Sequence, residues 1–166
     1  MDIKNLNMRT ATENDIERIA EIEMECFPEA EAATKESIKE RVKVFGESFI
    51  VAEYDGEIIG FINGAITNQK TITDDMFEDA SLHNPDGIYQ SIFGLDVVEK
   101  YRKKGVARAL MNRMIDKSKE RGKTGLILTC KEKLIDYYSK FGYKNMGVSE
   151  SVHGGAVWYD MILKLK

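Results

Sequence analysis

The sequence predicts a mixed α/β domain: a central sheet of about seven strands, antiparallel at its start and crossed once by a strand–helix–strand unit, with about four flanking helices. Two observations carry this. Asp55-Gly56 joins two apolar runs as a hairpin turn would, and residues 88–129 read as strand, basic loop, amphipathic helix and buried strand. A third bounds it: 166 residues without repeat, low-complexity tract or linker predict one domain over residues 1–166.

The elements follow in order. A short strand is expected near Lys4–Arg9, then a helix over Asp15–Phe27 that sets Ile16, Ile19, Ala20, Glu23 and Phe27 at helical spacing and ends at Pro28. Thr34 is placed to cap a second helix whose face is Ile38, Val42 and Phe45, with Gly46 as its stop. The hairpin runs Phe49–Ala52 and Ile58–Ile62. Asn68–Asp86 is polar and acidic, closed by Asn84-Pro85-Asp86-Gly87, and reads as a loop with one helical turn. Ile88–Val98 returns to strand, Gly105–Arg121 to helix and Gly125–Thr129 to strand; a helix over Lys131–Lys140 and strands near Tyr143–Ser149 and Ala156–Lys164 complete the chain.

Composition narrows the function. Twenty-four Lys and Arg against 28 Asp and Glu give a net charge of −4, which offers no general basic field for nucleic acid or an anionic membrane. No run approaches the ~20 apolar residues of a membrane span, and the start lacks a signal-peptide core, so a cytoplasmic location is expected. Cys26 and Cys130 form neither a CxxC pair nor a metal-ligand cluster with His83 and His153; reduced thiols and no metal are expected.

The most informative stretch is Ile92–Leu110, which runs strand, basic loop, helix through Leu95-Asp96-Val97 and Arg102-Lys103-Lys104-Gly105-Val106-Ala107-Arg108. Unpaired N–H groups and the peptide dipoles favour an anion at the start of a helix. Gly105 and Ala107 keep bulk away, and Arg102, Lys103, Lys104 and Arg108 add cations, so the loop suits a phosphate. It is neither a Walker loop nor a dinucleotide fingerprint.

Arg102-x-x-Gly105-x-Ala107 between strand and helix resembles the R/Q-x-x-G-x-G/A signature of the GNAT acetyltransferase superfamily, and Tyr137–Tyr143 resembles its Y-x-x-x-G-F/Y segment. Cys26-Phe27-Pro28 with Glu31, Gly60-Phe61-Ile62-Asn63-Gly64 and His153-Gly154-Gly155 with Trp158 resemble bacterial relatives of arylalkylamine (serotonin) N-acetyltransferases. The resemblance implies a GNAT fold and acetyl-coenzyme A as co-substrate, with the pyrophosphate on residues Arg102, Lys103, Lys104, Gly105, Val106, Ala107 and Arg108. It implies pantetheine along Leu95, Asp96 and Val97, the Val97 N–H facing the thioester carbonyl, and Tyr138 beside the sulfur as proton donor. Glu31 is the expected base, with Glu29 its rival, and Tyr137, about 100° round the helix, serves as the control. Ser91 and Phe93 stand where the serotonin-acetylating enzymes carry His-x-His, so that relay is missing.

The remaining conspicuous residues read as structural: His153 in a turn, Trp158 packing, Met114 on the inner helix face, Met24 near the acceptor segment, Cys130 unactivated. The expected reaction moves acetyl to a primary amine of a small molecule, an aryl-alkylamine or a polyamine, in a ternary complex; the chain is expected as a monomer or homodimer. Protein N-terminal or lysine acetylation, and a coenzyme-binding regulatory domain without activity, are the alternatives.

Overall fold

A computed structural model describes all 166 residues. Nine strands form two sheets rather than one of about seven, because the long strand expected over Ile88–Val98 divides at Phe93. In chain order the elements are β1 (Asn7–Thr10), α1 (Ile16–Cys26), α2 (Lys35–Phe45), β2 (Phe49–Tyr54), β3 (Glu57–Asn63), β4 (Ile66–Thr67) and α3 (Asp74–Glu78). There follow β5 (Tyr89–Ile92), β6 (Gly94–Val97), α4 (Val106–Glu120), β7 (Gly125–Cys130), α5 (Ile135–Ser139), β8 (Lys144–Val148) and β9 (Tyr159–Lys164).

The first sheet is β1-β2-β3-β6, antiparallel throughout; the second is β4-β5-β7-β9-β8, with β5 and β7 parallel across the α4 crossover. The division is built into close main-chain packing. A Cβ on Gly64 would lie 1.8 Å from the Ser91 carbonyl oxygen, so only glycine lets β3's end cross the strand there. Gln90 donates to Gly64 O at 2.9 Å, giving that carbonyl a side-chain partner, and Ser91 Oγ adds a 2.7 Å bond to Ala65 O beside the one from Ser91 N–H at 2.8 Å. Phe93 N–H reaches Asn63 O at 2.7 Å, and from Gly94 the chain pairs with β3 alone.

The helices follow their expected faces. Ile16, Ile19 and Ile22 of α1 are buried with Glu23 among them, and Thr34 caps α2 by accepting from Ser37 N–H at 3.1 Å. Leu110, Met111 and Met114 of α4 pack with Phe49, Phe61 and Leu126 in the main core. Met24, by contrast, is exposed.

Three expectations are corrected. The first strand starts later, after a 3-10 turn at Ile3–Asn5. The helix expected over Lys131–Lys140 is a 3-10 turn followed by the five-residue α5. The 68–86 segment holds a helix and a second 3-10 turn, and buries Ile72 and Met76 against the second sheet. No helix is long and apolar enough to cross a membrane.

Candidate functional site

Where the chain leaves the second sheet after β5, the edges of β6 and β7 separate and a cleft of about 510 Å³ opens between them. Leu95 and Val97 form one wall, Leu128 and Cys130 the other; Arg102 and Ala107 close one end. The segments 27–31, 72–77 and 151–158 close the other, and Tyr137 and Tyr138 come in from α5.

The register decides which main-chain groups face this cleft. Val98 N–H donates to Ile59 O at 2.9 Å and Asp96 is paired opposite Phe61, so alternation turns the even-numbered N–H groups toward β3. Leu95 and Val97 therefore present theirs to the cleft, where β6 has no second strand partner. Val97 O is occupied there: it accepts from Arg102 Nε at 2.9 Å and from the Cys26 thiol at 3.5 Å. Asp96, expected beside them, instead turns its N–H to β3 and buries its side chain, 1% exposed, away from the cleft.

At the end of β6 the chain turns through Lys103 (φ +63°) and Gly105 (φ +91°) into α4. A left-handed residue at the start of a 15-residue helix exposes the first-turn N–H groups, with no acidic side chain in that turn to compete for them. Lys103, Lys104, Gly105 and Arg108 are exposed, while Val106 sends its side chain into the core and can offer only its main chain. Arg102 is not a free cation: its guanidinium is bonded back onto Val97 O and meets Cys26 Sγ at 3.5 Å.

Tyr138 lines the cleft. Burial, with Tyr137, Cys130 and Asp96 nearby, pushes its phenol well above the usual range, so it stays protonated throughout neutral pH. Tyr137 does not point elsewhere. Its ring lies 5.1 Å from that of Tyr138 and lines the same cleft, because the cleft wraps round the short α5, so it is no control. Cys130 lines the cleft with its thiol pushed up to about 11 by burial, the state of an unactivated cysteine.

Glu31 is 8% exposed; its Oε2 meets Lys131 Nζ at 2.9 Å, and its Oε1 is buried without a partner. Glu29 is exposed and lines no part of the cleft. His153 belongs to the site as well as to its turn: Nε2 lies 2.8 Å from Glu31 O, its ring lies 4.3 Å from that of Phe77, and it lines the cleft. Trp158 donates to His153 O at 2.8 Å and also lines the cleft, with Lys131 Nζ 5.6 Å from its ring centroid. Ser151 Oγ bonds Asp74 at 2.5 Å, so the 72–77 and 151–158 segments are joined over this end. Ser91 is buried on Ala65 O, while Phe93 faces the cleft.

Helical spacing puts Glu23 on the inner face of α1 but does not say what a carboxylate does there. It lines the cleft at 5% exposure, and Arg41 lies behind the cleft rings of Phe77 and Phe93, 4.5 and 5.0 Å from their centroids. The signal was an acid among Ile16, Ile19 and Ala20, and an arginine on the Ile38 face of α2.

Against known proteins, a family model described as the acetyltransferase (GNAT) family matches residues 16–143. A probable hydrolase of Bacillus subtilis, YhcX, is 30% identical over 118 residues, 64% of this chain and 22% of that protein. YkwB of the same organism, described as an uncharacterized N-acetyltransferase, is 30% identical over 131 residues, 70% of this chain and 58% of that one. A serotonin N-acetyltransferase of Mesocricetus auratus is 23% identical over 68% of this chain and 53% of its own. The chain thus spans between about a fifth and three fifths of the curated relatives it matches. The GphF GNAT-like decarboxylase, solved with isobutyryl-CoA, shares the fold with a TM-score of 0.85 at 17% identity, over 96% of this chain and 100% of that one. The ribosomal-protein-S18-alanine N-acetyltransferase of Escherichia coli does so with a TM-score of 0.71 at 16% identity, over 97% and 94%. With a family model that covers most of its length and a strand that splays where the matched motif begins, the chain belongs to the GNAT acetyltransferase family.

Proposed function

We propose that the chain binds acetyl-coenzyme A in the cleft between β6 and β7 and transfers the acetyl group to a primary amine of a small molecule. The observation that carries this is the unpaired edge of β6. Leu95 and Val97 offer main-chain groups at the spacing an extended pantetheine amide chain needs, and the strand leads into the anion-favouring start of α4 at Gly105. Lys103, Lys104 and Arg108 supply cations for the pyrophosphate, with the main chain of Val106 and Ala107. The family membership and the acyl-coenzyme A held by GphF support the same co-substrate.

The Val97 N–H polarises the thioester carbonyl, and the protonated Tyr138 phenol gives a proton to the departing sulfur. Glu31 Oε1, buried and unpartnered, receives the acceptor's ammonium; its other oxygen is held by Lys131. A small acceptor is favoured because Asp74–Ser151, Phe77–His153 and His153–Glu31 contacts roof this end of the cleft. Its rings suit an aryl-alkylamine more than a polyamine. Direct transfer in a ternary complex fits the unactivated Cys130.

Release of free thiol from acetyl-coenzyme A across aryl-alkylamines, polyamines, amino acids and peptides tests the reading. Turnover greatest with aryl-alkylamines is expected. Turnover confined to peptides would make the chain a protein acetyltransferase, as the E. coli S18-alanine enzyme of the same fold is, and coenzyme binding without turnover would make it a regulatory domain.

A further inference from the structure

Beneath the cleft four polar side chains meet in the apolar interior: Glu23 from α1, Arg41 from α2, Asn63 from β3 and Asp96 from β6, none more than 5% exposed. Arg41 donates to Asn63 Oδ1 at 3.1 Å and to Phe77 O at 2.9 Å, so its charge acts on the two carboxyl groups through space and not by contact. Glu23 Oε2 accepts from Ala33 N–H at 2.8 Å, and the Glu23 and Asp96 carboxyl groups both lie close to Gly94. Neither Asp96 oxygen receives a bond from any N–H or hydroxyl group. Two buried carboxyl groups face to face cannot both ionise cheaply, so one keeps its proton. Burial, reinforced by Glu23 and Cys26 and opposed by Arg41, holds Asp96 well above the usual carboxylate range. A protonated Asp96 has a hydrogen to donate to a neighbouring carboxylate.

Glu23 is the member of the pair that is open to the site, with Asp96 behind it. Glu23 and Gly94 both line the cleft, and a Cβ built on Gly94 would lie 3.1 Å from Asp96 Oδ1 and 3.8 Å from Glu23 Oε1. The missing side chain at 94 leaves the carboxyl groups directly under the floor, next to Leu95, whose N–H faces the cleft.

We propose that Glu23 is the carboxylate that takes the proton from the acceptor's ammonium, with Asp96 as the residue that positions it by a hydrogen bond. This rests on the acyl-transfer reading. An ammonium loses two protons on becoming an amide. The first passes to Glu23 and on to solvent. The neutral nitrogen then forms the N–C bond as the C–S bond breaks; sulfur takes the Tyr138 proton, and the nitrogen's second proton restores the phenol. The groups facing the pair are Cys26 of α1, Arg41 of α2, Tyr138 of α5 and Glu31 across the cleft, while β3 contributes the neutral Asn63. Glu31 differs from Glu23 in being tied to a lysine.

The test compares a strongly basic alkylamine with a weakly basic amine already neutral at pH 7, in the full chain and its variants. With the alkylamine, Glu23→Gln should lower kcat/KM by at least about 100-fold. With the weak base the loss should be under about fivefold, because no proton need be removed first. Acetyl-coenzyme A affinity, read by calorimetry, should stay within about threefold, since the proposed role of Glu23 is toward the acceptor's nitrogen and not the coenzyme. Asp96→Asn should move the acidic limb of the pH profile, which a merely structural residue would leave in place. In the wild-type chain that limb should be present with the alkylamine and absent with the weak base, a reading that needs no variant to fold. Equal losses with both amines, a limb common to both, or a limb that moves only in Glu31→Gln would overturn the assignment while the transfer reading stands. A wild-type chain that binds no acetyl-coenzyme A would remove both.

Discussion

At the scale of single residues, the site divides labour among groups that the fold has made unequal. Tyr138 and Cys130 both line the cleft and burial raises both pKa values; in the proposed reaction only the phenol has a use for its proton. Tyr138→Phe should cut turnover by about 100-fold or more while the calorimetric affinity for acetyl-coenzyme A stays near wild type. Unchanged turnover would remove Tyr138 as the acid. That Tyr138, Leu95 and Val97 line one cleft was legible from their segments. Glu23 and Asp96 were not singled out as a site, since spacing says which face a side chain takes but not that two acids seventy-odd residues apart meet. Tyr137 was misread for a related reason: a helical wheel gives an angle, and α5 is too short for that angle to leave the cleft.

Among elements, the decisive event is the division of one expected strand. Ile88–Val98 reads from sequence as continuous because β-patterning does not see partners, and Phe93 is itself a residue that favours strand. The cause is tertiary: Gly64 lets main chain meet main chain, and the Gln90 side chain bonds the Gly64 carbonyl. Gly64→Ala should therefore cost more than about 2 kcal/mol, as a lowered urea midpoint, since a methyl group must displace backbone. A midpoint equal to wild type would mean that the crossing is not fixed there. The start of α4 was legible in full, because the Gly105 turn and the helix's amphipathic face are both local properties.

For the molecule as a whole, the buried acid is a stability cost that its proposed function explains. Asp96 has a folded-state pKa raised above its unfolded value, so its contribution is fully present below about pH 4 and is lost as pH rises toward the folded value. Across that window the wild type should lose about 1.4 kcal/mol per pH unit relative to Asp96→Asn. Urea midpoints at pH 4 and pH 7 check this: the advantage of the variant should grow with pH, and a constant difference would mean that Asp96 ionises freely. The mixed α/β class, the hairpin and the crossover followed from local pattern, whereas two sheets instead of one, and the cleft between them, followed from contacts across the chain. That cleft is best tested by amide hydrogen exchange, resolved by residue, with and without acetyl-coenzyme A. Leu95 and Val97 should exchange readily in the free protein and become protected on binding, together with Val106 and Ala107, while Asp96 is protected in both states. Binding that leaves Leu95 and Val97 unchanged, or no binding at all, would contradict the account.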